Sequence, residues 1–181
     1  MYDASKNKLT IVGVGNVLQL DDGIGVYAIS YLEQNYTFTP AIKCINGGVE
    51  GMGLLNLLSE TEHMIILDAI EINDEAGSIY VIPASELSGY GLNGGGAHEI
   101  GILQCFDMLE LQGKPTPQAT VIGIVPYLVS FDIALSTELE THFDKYIHTI
   151  LHHLSTLGYS ASALKNQVTL SDIIQKVNFP S

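Results

Sequence analysis

The sequence predicts an α/β domain built on a mixed β-sheet, and three observations carry that expectation. Apolar, β-rich runs at residues 9–14, 42–45, 64–67 and 120–125 alternate with stretches whose apolar residues recur at helical spacing. Twice a strand runs into a glycine turn and then a helix: Gly13-Val14-Gly15 leads toward residues 24–35, and Asn46-Gly47-Gly48 toward residues 52–58. One connection is too short for a crossover. Only nine residues separate Asp68 from the fourth strand at 78–83, whereas a parallel crossover takes roughly a dozen or more, so that strand is expected to run antiparallel to the others.

With 181 residues, the chain is long enough to bury one full α/β core and short for two, so a single domain over residues 1–158 is expected. Residues 159–181 are polar apart from 170–177 and read as a C-terminal appendage. Hydrophobic residues make up 46% and charged residues 15%, which excludes disorder over most of the length. The formal net charge of −13 excludes nucleic acid and anionic membranes as partners and favours something basic or cation-bearing. The first residues lack a signal-peptide core and no run reaches the ~20 apolar residues of a membrane span, so a cytoplasmic protein is expected. Two cysteines, Cys44 and Cys105, sit far apart in apolar stretches without metal-binding spacing and read as reduced structural residues.

The first glycine turn organises the rest. Ile11-Val12-Gly13-Val14-Gly15-Asn16 is followed by Asp21-Asp22-Gly23-Ile24-Gly25-Val26. A strand, a Gly-x-Gly turn and a helix would suggest a dinucleotide site, but Leu18 holds the third glycine position and the two aspartates would repel a phosphate. A cation is the better guest, although either aspartate taken singly is also a good helix N-cap. The third strand stops on Asp68. Ligands of open α/β sheets gather at the carboxyl ends of parallel strands, so Asp22 and Asp68 are expected on one edge. An aspartate in that position also serves as an ordinary turn former.

From the antiparallel fourth strand the chain must recross the sheet. The glycine-rich segment 84–97 can do so, since fourteen residues extend to about 45 Å. It delivers His98, which opens a helix with Ile100, Leu103, Phe106, Leu109 and Leu111 at helical spacing up to Gly113. A loop this long and rich in glycine is more often functional than structural. His98-Glu99 begins like a zinc helix, but Ile102 stands where the second histidine would be. A last helix from about residue 137 to 157 carries His148 and His152 one turn apart; with no third ligand nearby they read as a solvated face.

Asp22, Asp68 and His98 thus converge from three segments, offering two carboxylates and an imidazole to a divalent transition metal, with positions left open. No Gly-x-Ser-x-Gly or Cys-His arrangement competes. In Gly13-Val14-Gly15-Asn16, Asp21-Asp22-Gly23-Ile24-Gly25-Val26, Asn46-Gly47-Gly48, Ile66-Leu67-Asp68-Ala69 and His98-Glu99-Ile100-Gly101 the chain resembles the hydrogenase maturation endopeptidases, over roughly residues 9–157. The resemblance implies a three-layer α/β/α sandwich with a mixed five-stranded sheet, order 2-1-3-5-4, strand 4 antiparallel. It implies a cytoplasmic endopeptidase, expected to act as a monomer, that removes the C-terminal extension of a nickel-loaded hydrogenase large-subunit precursor. The family's metal-binding and catalytic positions fall on Asp22, Asp68 and His98, with nickel supplied by the substrate precursor. Two departures stand out: members carry Glu or Asp at the Asp22 position, and many carry Asp where this chain has Asn46. The alternatives from other classes are a non-catalytic nickel-sensing module that binds the precursor, and another small metallohydrolase on the same fold.

Overall fold

The structure is a computed structural model that describes residues 7–86 and 105–179. The chain runs β1 (Asn7–Val14), a 3-10 turn (Leu20–Gly23), α1 (Ile24–Asn35), β2 (Tyr36–Thr39), β3 (Lys43–Gly48), a second 3-10 turn (Gly51–Leu54), α2 (Leu55–Ser59), β4 (Thr61–Ala69) and β5 (Ile79–Pro83). It continues through α3, of which residues 105–111 are described. β6 (Gln118–Ile124), α4 (Thr137–Thr156), β7 (Ser160–Ala163) and α5 (Leu170–Asn178) complete it.

Five strands form the main sheet in the order β3-β1-β4-β6-β5. The first four are mutually parallel and β5 lies antiparallel on β6, pairing Ile79 with Ile124 and Pro83 with Thr120. Counting only these five in chain order, this is the expected 2-1-3-5-4 arrangement. Its cause is the short connection after β4, which can only turn back along the sheet rather than cross it.

Alternation along the strands divides the apolar residues into two layers. Ile11, Ile65, Leu67, Ile122 and Ile124 face α1, α4 and α5 and build one core with Ile24, Tyr27, Leu32, Phe143, Tyr146 and Ile150. Val12, Val14, Met64, Ile66 and Val121 face the other way, onto Leu54, Leu58, Cys105 and Leu109. Helix α4 starts cleanly because the Ser136 hydroxyl accepts from Leu139 N at 3.1 Å, and Glu138 and Glu140 in its first turn suit the helix dipole. Its apolar stripe of Leu139, Phe143, Tyr146, Ile147, Ile150 and Leu154 is buried.

Two expectations change. Leu111, placed by spacing on the buried stripe of α3, is 87% exposed. Cys105 and Leu109, four apart, define the buried face, and a residue two further on points about 200° round the helix. The segment after Gly158, expected to hang outside the domain, instead completes it. β7 pairs antiparallel with β2, a strand the sequence reading passed over, and α5 buries Ile173 fully in the α1–α4 core. The buried Asn35 amide holds the returning chain, accepting from Val168 N at 2.7 Å and donating to Val168 O at 3.0 Å. A short amphipathic helix has too few apolar residues to betray, by composition alone, that it caps a core. No helix among the described residues is long and apolar enough to cross a membrane.

Candidate functional site

The sheet order reverses between β1 and β4. From β1 the chain goes outward to β3, then crosses back over to β4, so the crevice beyond the carboxyl ends of these two strands is a topological switch point. The glycines of the first turn bring α1 down into this crevice. A Cβ on Gly25 would lie 2.1 Å from Leu67 O and 2.4 Å from Val14 O, and one on Gly15 would lie 1.9 Å from Asp22 O. Gly15 also has φ +132°, a conformation that side chains disfavour. Only bare glycine backbone lets the helix start rest on the ends of both strands. Asp22 is thereby carried next to the end of β1, where its Oδ2 accepts from Asn16 N at 2.7 Å. Asp68 sits one residue past Leu67, on which Gly25 rests.

Asp68 is 2% exposed, near the carboxyl end of β4 and in register with Gly123 of β6. By strand alternation it shares the face of Met64, Ile66 and Ile70, the side covered by α2 and α3. Its charge reaches across to Tyr146, whose phenol is held well above its ordinary pKa first by burial and then by the Asp68 carboxylate. Tyr146 donates its hydroxyl to Ile122 O at 2.6 Å, so it is a neutral structural donor behind the site.

The adjacent aspartates, alike in sequence, have different tasks. Asp21 is 0% exposed. Its Oδ2 accepts from Tyr127 N and Leu128 N at 2.9 Å each and from the Ser136 hydroxyl at 2.8 Å, while its Oδ1 accepts from Ser136 N at 2.7 Å. Neither aspartate caps a helix: no side-chain cap bond exists at the 3-10 turn or at α1, whose N-cap is Gly23. Asp21 is a clamp between the turn and residues 127–136. Sequence reasoning missed that function because its partners lie more than a hundred residues away. The available signal was the apolar run Tyr127-Leu128-Val129 just after Pro126, too hydrophobic for an ordinary loop.

Asn46, on the neighbouring edge, uses its amide oxygen to accept from Gly48 N at 3.1 Å, and Gly48 O in turn accepts from Gly15 N at 2.9 Å. The residue shapes the loop through an acceptor, which an amide supplies as well as a carboxylate does. Both thiols are poor nucleophiles: burial, then the charge of Glu33, pushes Cys44 up to about 11, and burial raises Cys105. His98, residues 87–97 of the glycine-rich segment before it, and residues 99–104 lie outside the described residues. Among the described residues, no three His, Cys, Asp or Glu side chains come together as a metal-binding group, so His148 and His152 have no third partner there.

The family model described as hydrogenase maturation protease matches residues 26–153, a span that includes Asp68 and His98 and starts four residues beyond Asp22. The chain is similar to the hydrogenase 2 maturation protease of Escherichia coli K12, with 28% identity over 155 residues covering 85% of this chain and 94% of that one. The solved structure of the hydrogenase maturating endopeptidase HybD from E. coli superposes with a TM-score of 0.78 at 26% identity, covering 86% of this chain and 97% of that one. The fold recurs in the NiFe hydrogenase maturation protease HybD from Thermococcus kodakarensis, with a TM-score of 0.63 at 23% identity over 79% of this chain and 96% of that one. Since the family match alone runs over more than two thirds of the 181 residues, the chain belongs to the hydrogenase maturation proteases.

Proposed function

We propose that this endopeptidase removes the C-terminal extension of a nickel-loaded hydrogenase large-subunit precursor, and that Asp22, Asp68 and His98 form the set that meets the nickel. In this reading the metal is cargo of the substrate, and its insertion licenses the cut. What supports the proposal is the position of Asp22 beside the end of β1 and of Asp68 near the end of β4, the two strands that flank the switch point where α/β folds seat their ligands. Two carboxylates and an imidazole from separate segments form an open, oxygen-rich ligand set, which the precursor's own nickel ligands would complete. In this reading water is the nucleophile, and burial, which raises both thiols above their ordinary pKa, keeps Cys44 and Cys105 from competing with it. Its oxygen adds to the scissile carbonyl as it gives up one proton, and the C–N bond breaks as the leaving nitrogen takes up that proton. The nickel-docked carboxylates fix the peptide for that attack. The reaction takes place in the cytoplasm.

The test compares nickel-loaded and nickel-free precursor under otherwise identical conditions, with the product weighed by mass spectrometry. Cleavage of the loaded form alone is expected, and Asp22→Asn, Asp68→Asn and His98→Ala each abolish it. Efficient cleavage of the nickel-free form would sink the cargo mechanism and leave a metal of the protease acting as Lewis acid. Binding of loaded precursor without any cleavage would favour a nickel-sensing module.

A further inference from the structure

The segment of residues 127–133 is bound to the Asp22 turn through its main chain and turns its large side chains outward. Leu20 N donates to Asp132 O at 3.1 Å, Asp132 N to Leu18 O at 3.2 Å, and Asp21 N to Leu128 O at 3.4 Å. The Asp21 carboxylate secures Tyr127 N and Leu128 N from below. With its polar backbone groups engaged on the turn, the segment leaves Phe131 85% exposed and Leu128 51% exposed, beside the exposed Tyr127, Val129, Ile133 and, from the turn itself, Leu18. Single exposed apolar residues are ordinary, but a contiguous run held by a buried carboxylate marks a contact surface. Its carboxylate, Asp132, is exposed and accepts from Ile133 N at 2.8 Å.

We propose that this ridge is the landing surface for an apolar stretch of the precursor polypeptide near its scissile bond. The proposal rests on the reading of the β1–β4 edge as the cutting site. Continuity decides the occupant. The turn that holds the ridge also carries Asp22, one residue from the clamp, so whatever seats on the ridge lies along the carboxyl edge. A second copy seated there would obstruct the edge that the precursor must reach. Asp21 then acts as a positioning residue, fixing the ridge relative to Asp22.

The experiment separates docking from cutting by measuring binding of nickel-loaded precursor to the Asp22→Asn protein, with and without Leu128→Ser and Phe131→Ser together. The ridge substitutions are expected to weaken binding about tenfold or more. In the protein with native Asp22, they should lower kcat/KM chiefly through KM. Leu111→Ser, removing an exposed leucine at the end of α3, should bind as the parent does. Phe131→Asp alone repeats the measurement at a position with no core contact to lose, should the double variant fold poorly. Unchanged affinity in the ridge variants would overturn the proposal, as would a parent dimer that the ridge substitutions convert to monomer. Ridge-dependent binding without cleavage by the parent protein would uphold the ridge and remove the protease reading.

Discussion

Asp21 and Asp22 show how much one residue position decides. The Asp21 carboxylate collects four donors in a fully buried site, and an amide in its place would set a donor against at least one of them. Asp21→Asn is therefore expected to cost about 2–4 kcal/mol, read as a lower urea midpoint at unchanged slope. Asp22→Asn keeps an oxygen for the Asn16 N–H and should stay within about 1 kcal/mol of the parent while losing cleavage. Equal destabilisation by the two would contradict the division of labour. A second expectation concerns His153. Its Nε2 is buried with no hydrogen-bond partner among the described residues, and burial, then the neighbouring His152, holds its pKa below the ordinary value. The unfolded chain therefore takes up the proton first. The stability linked to this group is complete above about pH 6.5 and is lost as the pH falls through that value toward the lower folded one. In His153→Leu, unfolding free energies measured between about pH 7.5 and about pH 5 should decline less steeply than in the parent; parallel curves would show that His153 contributes nothing.

At the scale of elements, the C-terminal pair β7 and α5 belongs to the core of the molecule. Thr169 and Asp172 form a capping box that starts α5, and Lys176 reaches Gln34 of α1 at 2.9 Å. The tie to α1 continues at Asn178, which donates to the Tyr27 hydroxyl at 2.9 Å. Ile173 fills the space between them. Ile173→Ala leaves a cavity there and is expected to cost about 2–4 kcal/mol, lowering the thermal midpoint by roughly 4–16 °C in a chain of this size. A melting temperature equal to the parent's would mean that the helix is dispensable after all. The strand β2 is equally hard to see in the sequence. Four residues, Tyr36–Thr39, show no decisive period, and their pairing partner comes from the far end of the chain.

For the whole molecule, net charge and topology set how copies meet. A chain of net charge −13 repels its own kind at low ionic strength. Sedimentation across a tenfold dilution is expected to report a constant mass near 19.5 kDa; a mass that rises with concentration would point to self-association instead. The switch point joins the scales. Glycines 13, 15 and 25 allow close contact between α1 and two strands, and that contact carries Asp22 next to the end of β1, where it accepts from Asn16 N.

The main sheet is legible in local pattern. Periodicity located its five strands, and a nine-residue connection decided which of them runs antiparallel, because these are local consequences of chain geometry. Local order also sufficed to put Asp22 after β1 and Asp68 near the end of β4, since the ends of parallel strands share an edge. Tertiary structure alone decided which of two adjacent aspartates is the buried clamp, because its donors come from residues 127–136. It likewise decided that the chain after Gly158 closes the core through Asn35 and Ile173. Local pattern reports on neighbours in sequence. A buried hydrogen bond or a filled cavity is specified by residues that folding brings together from the two ends of the chain.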